Sequence, residues 1–151
     1  MFTVRQFEPQ DMFAVIKLAS KILTEQYSPT LFTFFYETSP QGFLVAEEHH
    51  RIIGFAVGIK QSTDMGRIVM IGTQTSKQKK GVGSQLLNQL LSYFKNQHVQ
   101  YVELEVKTTN LDAVRFYQRY NFKIIDTIPN FYQNGESAYI MKQKFFPGRD
   151  D

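Results

Sequence analysis

Apolar residues recur at every third or fourth position in three segments of the chain, which is the spacing of helices that bury one face. The first segment follows Asp11, a residue type that caps helix starts, and should end near Pro29. The second runs from Val82 to Phe94, and the third follows Asn110, another good N-cap. A further short helix, rich in aromatic residues, is predicted from Leu31 to Glu37.

Short apolar runs with strand character lie between and after these helices. They are Thr3–Phe7, Phe43–Glu47, Ile52–Lys60, Arg67–Thr73, Tyr101–Val106, Phe122–Thr127 and Ser137–Lys144. The second and third runs predict a hairpin, and the fourth and fifth predict parallel strands joined by a right-handed helical crossover. Because no repeat or linker interrupts the pattern, we predict one α+β domain over residues 1–145 and a short tail at residues 146–151.

Composition restricts the chemistry that the chain can perform. The sequence has no cysteine, which excludes disulfides, thiolate metal ligands and a cysteine acyl-enzyme. No apolar stretch approaches the roughly 20 residues of a membrane span, and the N-terminus lacks an apolar signal block. We therefore expect a cytoplasmic protein without membrane association. The three histidines have no acidic partner at ligand spacing, so we predict no metal site.

Charge is unevenly distributed, although the formal net charge is only +3. The window from Met65 to Val102 contains no acidic residue. Its basic residues are Arg67, Lys77, Lys79, Lys80 and Lys95. Three of these lysines lie beside two glycines in the segment Ser76–Leu87, SKQKKGVGSQLL, directly before the long predicted helix.

This lysine- and glycine-rich segment predicts a phosphate-binding loop. The start of a helix presents backbone N–H groups without intrahelical partners and the positive end of the helix dipole. Gly81 and Gly83 lack the Cβ atoms that would keep a ligand away from the backbone, and the lysines attract anions. The simpler alternative is a solvated turn. Spacing excludes a P-loop, and it also excludes the dinucleotide fingerprint, which requires glycine where Leu86 stands.

Residues 78–83, QKKGVG, instead resemble the Q/R-x-x-G-x-G/A pyrophosphate loop of the GNAT superfamily of N-acetyltransferases. The chain after the long helix strengthens this resemblance. Residues 104–107, LEVK, with Asn110, Ala113 and residues 116–122, FYQRYNF, are similar to the family block LEV…N…A…(L/F)Y…GF. Asn121 replaces the usual glycine, and asparagine also tolerates a left-handed helix end.

Two further segments resemble the protein N-alpha-acetyltransferases of that superfamily, which include RimI-like and archaeal enzymes. Residues 132–141, YQNGESAYIM, are similar to the segment YY-x-DGEDAYxM, with Phe131 in place of the first tyrosine. Residues 23–27, LTEQY, resemble the peptide-binding turn LPENY, although the proline is missing. The resemblance covers the chain from about Val4 to Lys144.

The resemblance implies the GNAT fold, in which a mixed, mostly antiparallel sheet of six to seven strands is flanked by helices. Two splayed strands of this fold form the acetyl-CoA cleft. The coenzyme contacts implied by the matching positions are Ile71, Gly72, Thr73, Gln78, Lys79, Lys80, Gly81, Val82, Gly83, Ser84, Asn110 and Tyr117.

Two glutamates compete for the role of general base. Glu105 matches the base of the ribosomal-protein-alanine acetyltransferases, and Glu25 matches the glutamate of archaeal and eukaryotic N-terminal acetyltransferases. Tyr117 matches the family's general acid. For each of these residues an ordinary surface or packing role is the alternative. The candidates for a peptide groove are Tyr27, Phe32, Tyr132 and Tyr139.

We therefore expect an acetyl-CoA-dependent enzyme that acetylates the α-amino group of protein N-termini by direct attack in a ternary complex. The alternative acceptors are a small-molecule amine, such as a polyamine or aminoglycoside, or a lysine side chain. A ribosomal protein and an auxiliary subunit are candidate partners. A nucleic-acid-binding module is disfavoured, because the lysines lie at one helix start rather than along a groove.

Overall fold

The computed structural model describes residues 1–23 and 27–145 of the chain. These residues contain seven strands and four α-helices. They are β1 (Thr3–Gln6), α1 (Met12–Ile22), α2 (Pro29–Thr38), β2 (Phe43–Glu48), β3 (Arg51–Lys60), β4 (Met65–Thr73), α3 (Val82–Asn96), β5 (Tyr101–Lys107), α4 (Leu111–Arg119), β6 (Lys123–Ile128) and β7 (Ala138–Lys144). Every predicted helix and strand is present with shifted ends. The largest shift is in α1, which ends at Ile22 rather than near Pro29. Within the described ranges, no helix combines the length and apolarity needed to cross a bilayer.

The strands are hydrogen-bonded in the order β1-β2-β3-β4-β5-β7-β6. The antiparallel pairings include β1 with β2, β2 with β3, β5 with β7, and β6 with β7. The pairing of β4 with β5 is parallel and is limited to Met65–Arg67 opposite Tyr101–Glu103. This arrangement confirms the predicted α+β class and the mixed, mostly antiparallel sheet.

Contacts divide the chain into two compact units, the first made of residues 1–59 and 68–97 and the second of residues 60–67 and the chain from residue 98 onward. The first unit has a core rich in phenylalanine, including Phe7, Phe32, Phe43 and Phe55. The rings of Phe7 and Phe43 stack with their centroids 4.0 Å apart. The ring of Phe32 on α2 lies 6.4 Å from those of Phe43 on β2 and Phe55 on β3, so aromatic contacts hold α2 against these strands.

Helix α3 buries the apolar face that its spacing predicts. The buried residues are Val82, Leu86, Leu87, Leu90, Leu91 and Phe94. Val82 is 2% exposed, so its side chain belongs to the core. At the start of α3, Val82 can therefore offer a ligand its backbone N–H but not its side chain.

Strand β5 in the second unit alternates between a buried face and a polar face. Val102, Leu104 and Val106 are buried, whereas Glu103 and Glu105 are partly exposed. Successive side chains in a strand point to opposite faces, so the two glutamates share the polar side. Strand β7 pairs with β5 along its whole length, which fixes the neighbours of this polar face.

Asp11 stands at the N-cap position of α1, as predicted, but its side chain makes no capping hydrogen bond to that helix. A single turn of 3-10 helix at Pro9–Asp11 precedes α1, and the Asp11 carboxylate accepts the backbone N–H of Glu8 at 2.8 Å within that turn. The same carboxylate accepts two hydrogen bonds from Arg5, at 2.8 and 3.0 Å. Asp11 therefore fastens β1 to the start of α1 instead of capping the helix.

Candidate functional site

The loop between β4 and α3 has a backbone conformation suited to an anion. Gly81 has a φ of 89° and Lys79 a φ of 62°, both in the left-handed region. A Cβ at Gly81 would meet no atom within 4 Å, so its conformation rather than crowding calls for glycine. The N–H of Gln85 donates to the Gly81 carbonyl at 3.1 Å, which is the first α-helical bond of α3. The N–H groups between these two residues therefore face the loop without a helical acceptor.

Some side chains of this loop are tied to the fold and others are not. The Gln78 amide donates to the Thr73 carbonyl at 3.3 Å. Lys77 binds Glu48 at 2.6 Å, and this contact lowers the pKa of Glu48. Lys79 and Lys80 are exposed and form no ion pair with any described residue. The charge available to a ligand thus comes from these two lysines and the helix start rather than from three lysines.

The end of β4 carries three of the predicted coenzyme contacts. Gly72 is buried, and a Cβ there would lie 2.5 Å from the Cδ1 atom of Ile22. The glycine is therefore explained by the close packing of α1 on β4. Ile71 and Thr73 lie on the other, partly exposed face of the strand.

Glu105 is ion-paired with Arg67, a residue that the sequence did not single out. The Nη1 atom of Arg67 donates to Oε2 of Glu105, and the Nε atom donates to Oε1 of Gln61 at 2.6 Å. The two charged side chains are 24% and 19% exposed, so the pair is only partly screened by water. The partners are 38 residues apart in sequence, and only the parallel register of β4 with β5 brings them together.

Tyr117 lies among aromatic side chains on α4. Its ring centroid is 5.2 Å from that of Phe116 and 5.7 Å from that of Phe122. Burial raises the pKa of the Tyr117 phenol, which therefore keeps its proton across the physiological range. Asn110 caps α4 as predicted, because its side chain accepts the N–H of Ala113 at 3.2 Å.

Tyr132 lies in the connection between β6 and β7, which Glu136 fastens to the rest of the second unit. The Glu136 carboxylate accepts from Thr109 at 2.8 Å and from Asn134 at 2.5 Å, and it lies 3.7 Å from the ammonium of Lys107. The hydrogen bonds from Thr109 and Asn134 lower the pKa of Glu136. Lys107 also lies 5.2 Å from the centre of the Tyr132 ring, in cation–π geometry.

The other aromatic candidates lie in different environments. Phe32 is fully buried against Phe43 and Phe55, and its contact with a peptide groove stays a prediction. Tyr27 is partly buried and packs edge-on against Phe32, with centroids 6.4 Å apart. Tyr139 is opposite Val106 in the β5–β7 ladder, on the face away from Glu105. Glu25 lies outside the described residues.

A pocket of about 920 Å³ opens in the first unit and contains none of the predicted site residues. Arg5, Asp11, Lys17, Lys21 and Arg51 are among its lining residues. No group of three or more His, Cys, Asp or Glu residues in the described chain is arranged to hold a metal ion. The candidate chemistry therefore rests on the β4–α3 loop, the Arg67–Glu105 pair, Tyr117 and the Tyr132 connection.

Residues 12–122 match the acetyltransferase (GNAT) family, and the chain belongs to this family. An uncharacterized N-acetyltransferase of Methanocaldococcus jannaschii is 30% identical over 142 residues, which cover 93% of this chain and 90% of that protein. An N-alpha-acetyltransferase of Saccharolobus solfataricus is 27% identical over 152 residues, covering 93% and 91%. The crystal structure of Ard1 from Thermoplasma volcanium is 34% identical, with a TM-score of 0.92, covering 96% and 98%. These similarities confirm the GNAT fold and the resemblance to N-alpha-acetyltransferases.

Proposed function

We propose that this protein transfers the acetyl group of acetyl-CoA to the free α-amino group of protein N-termini. The similarity to an N-alpha-acetyltransferase over nine-tenths of both chains carries the proposal, since it includes the segments expected to select the amine. The pyrophosphate loop supports acetyl-CoA as the donor. Its helix start, its exposed lysines and its left-handed glycine suit a diphosphate.

The residues of the chain divide the work of coenzyme binding in this proposal. The N–H groups of Val82, Gly83 and Ser84, with the side chains of Lys79 and Lys80, hold the pyrophosphate. The backbone at Ile71, Gly72 and Thr73 hydrogen-bonds the pantetheine arm and polarises the acetyl carbonyl, a role that needs no special side chain. Gln78 supports the loop through its hydrogen bond to the Thr73 carbonyl, and Asn110 contributes from the start of α4. When bound, acetyl-CoA supplies the activated thioester.

The acetyl transfer itself requires one base and one acid. The amine nitrogen forms a C–N bond to the acetyl carbon, its proton passes to a carboxylate directly or through water, and the C–S bond breaks. Tyr117 gives the departing sulfur a proton, which its partly buried phenol retains until that step. An α-amino group has a pKa near 8, so a carboxylate is a sufficient base, whereas a lysine near 10.4 demands more. Glu105 and Glu25 remain the two candidates.

Two of the four residues predicted for the peptide groove are the strongest candidates for contact with the substrate. We propose that Tyr132, held in the connection that Glu136 fastens, and Tyr27 line the path of the substrate chain. Tyr139 would take part only from the opposite face of the β5–β7 ladder. The catalytic domain spans residues 1–145 in this proposal, and the protein acts in the cytoplasm. A ribosomal protein as target and an auxiliary subunit as partner are part of the same proposal.

A substrate panel tests the function. Peptides with free N-termini are incubated with acetyl-CoA beside the same peptides blocked at the N-terminus, a polyamine and an aminoglycoside, and products are located by mass spectrometry. We expect acetylation of free α-amino groups alone. Turnover that is confined to the polyamine, the aminoglycoside or lysine side chains would reject the proposal. Gly81→Val serves as a control, because it should weaken acetyl-CoA binding while circular dichroism stays unchanged.

A second experiment separates the two candidate bases. Glu105→Gln, Glu25→Gln and the double variant are assayed on the best peptide of the panel. Loss of the base should lower kcat by about 10²-fold or more. Full activity in all three variants would exclude both glutamates.

A further inference from the structure

Arg67 approaches Glu105 from the neighbouring strand in a defined orientation. The parallel register places Arg67 opposite Glu103, so Glu105 is its diagonal neighbour two residues further along β5. The guanidinium is held from two sides, because Nη1 donates to Glu105 and Nε donates to Gln61 at 2.6 Å. A planar guanidinium fixed at two donors restricts where the carboxylate can lie.

Two lysines on this polar face have other described partners. Lys142 is opposite Glu103 in the β5–β7 ladder, and its ammonium lies 4.0 Å from the centre of the Tyr101 ring. Lys107, two residues after Glu105 on the same face, interacts with Glu136. Arg67 contacts the Glu105 carboxylate directly.

We propose that Arg67 is a positioning residue for the acetyl transfer, which directs one oxygen of the Glu105 carboxylate to the incoming amine. The inference rests on the proposed function and assigns Glu105 as the base. Within the described residues, Arg67 engages Oε2 of Glu105, and Oε1 is the oxygen that takes the amine proton. A cation at hydrogen-bond distance favours the charged carboxylate.

This role differs from that of a structural ion pair in what each would change. A structural pair stabilises the fold, and its loss leaves kcat of the folded enzyme unchanged. Loss of a positioning arginine lowers kcat, and this effect requires the Glu105 carboxylate. KM for acetyl-CoA should stay unchanged, because the pyrophosphate loop is made of residues other than Arg67 and Glu105.

The test uses the full-length protein with glutamate labelled at the side-chain carboxyl carbon with ¹³C. The Glu105 signal is assigned by its loss in Glu105→Gln, and its titration is followed by NMR in the wild type, Arg67→Met and Arg67→Lys. We expect Arg67→Met to move the titration midpoint of Glu105 up by about one pH unit or more. Arg67→Lys, which keeps the charge, should restore most of the original midpoint. Arg51→Met, which removes an exposed arginine at the start of β3, is the matched control and should change nothing.

Activity is measured on the same variants with saturating peptide. We expect Arg67→Met to lower kcat roughly tenfold at neutral pH, with KM for acetyl-CoA within twofold of the wild type. In the Glu105→Gln background, adding Arg67→Met should have no further effect. An unmoved midpoint, an unchanged kcat, or the same kcat loss in the Glu105→Gln background would each overturn the proposal. If no free N-terminus is acetylated in the panel, the proposed function fails separately, and the NMR titration still reports whether Arg67 controls Glu105.

Discussion

Among the described residues, two arginines are paired with carboxylates, and their surroundings differ. Arg5 donates to both carboxylate oxygens of Asp11 and, at 2.8 Å, to Glu47. Its main partner, Asp11, has a side chain only 7% exposed and accepts a backbone N–H as well. Arg67 engages one carboxylate oxygen and one amide on a partly open sheet face. A cluster whose acceptors are all satisfied serves the fold, whereas an incompletely satisfied carboxylate can accept a proton during a reaction.

The Asp11 cluster also shows how burial and pairing oppose each other. Burial raises the pKa of Asp11, but hydrogen bonds from Arg5 and from the Glu8 backbone outweigh it and hold the pKa below its usual value. Asp11 therefore stays charged in the fold at neutral pH, and this buried charge is stabilised by Arg5.

Arg5→Met should produce the largest effect that separates the two arginines. It leaves the buried Asp11 carboxylate without its cation, which costs about 3 kcal/mol in the free energy of unfolding. Arg67→Met should cost about 1 kcal/mol or less, because its partner is more exposed. Urea unfolding measures both values. Equal losses in the two variants would contradict the distinction between a structural and a functional pair.

A double-mutant cycle sharpens this distinction at the level of the pairs. Removing Asp11 together with Arg5, as Asp11→Leu with Arg5→Met, should be less harmful than the sum of the single changes, with a coupling free energy of about 2 kcal/mol. The cycle of Arg67→Met with Glu105→Gln should give a coupling in stability below about 1 kcal/mol. A larger coupling at Arg67 than at Arg5 would reverse our assignment.

Acidification tests the same cluster without a mutation in the arginine. Because the pKa of Asp11 is lower in the fold than in the unfolded chain, its stabilising effect is fully present above the unfolded value of about 3.9. That effect is lost as the pH falls through the lower folded value. The stability difference between the wild type and Asp11→Asn should therefore be constant from pH 7 to pH 5 and shrink below pH 4. A difference that grows on acidification would show the opposite sign of shift.

The smallest of these effects is expected at Glu136, whose carboxylate is bound by Thr109, Asn134 and Lys107 rather than by an arginine. Glu136→Gln should loosen the connection that carries Tyr132 and raise KM for the peptide about threefold, the size expected for one modest hydrogen bond. Thermal stability and KM for acetyl-CoA should remain close to the wild type. Thr109→Val removes a single donor to Glu136 and should give a smaller change in the same direction. An altered coenzyme KM in either variant would show that the connection does more than hold the peptide.

Features set by local sequence were predictable in this chain, and features set by distant contacts were not. The cap at Asn110, the glycine loop and the apolar face of α3 depend on neighbouring residues, and all three are present. The Arg67–Glu105 pair depends on the register of two strands separated by a whole helix. Asp11 is of a residue type that commonly caps helices, yet its carboxylate binds Arg5 and a backbone N–H of the preceding 3-10 turn. Phe32 could equally be groove or core until the rings around it are known.

The contact between Lys77 and Glu48 has a consequence for conformational entropy. It joins the loop before α3 to the end of β2, while Gln78 ties the same loop to the Thr73 carbonyl. The loop is therefore ordered when the protein folds, and coenzyme binding does not have to order it a second time. Lys77→Met should weaken acetyl-CoA binding by less than about tenfold, with the loss in the entropy of binding measured by calorimetry. Lys77 therefore contributes to coenzyme affinity by preorganising the loop, without contacting the phosphates.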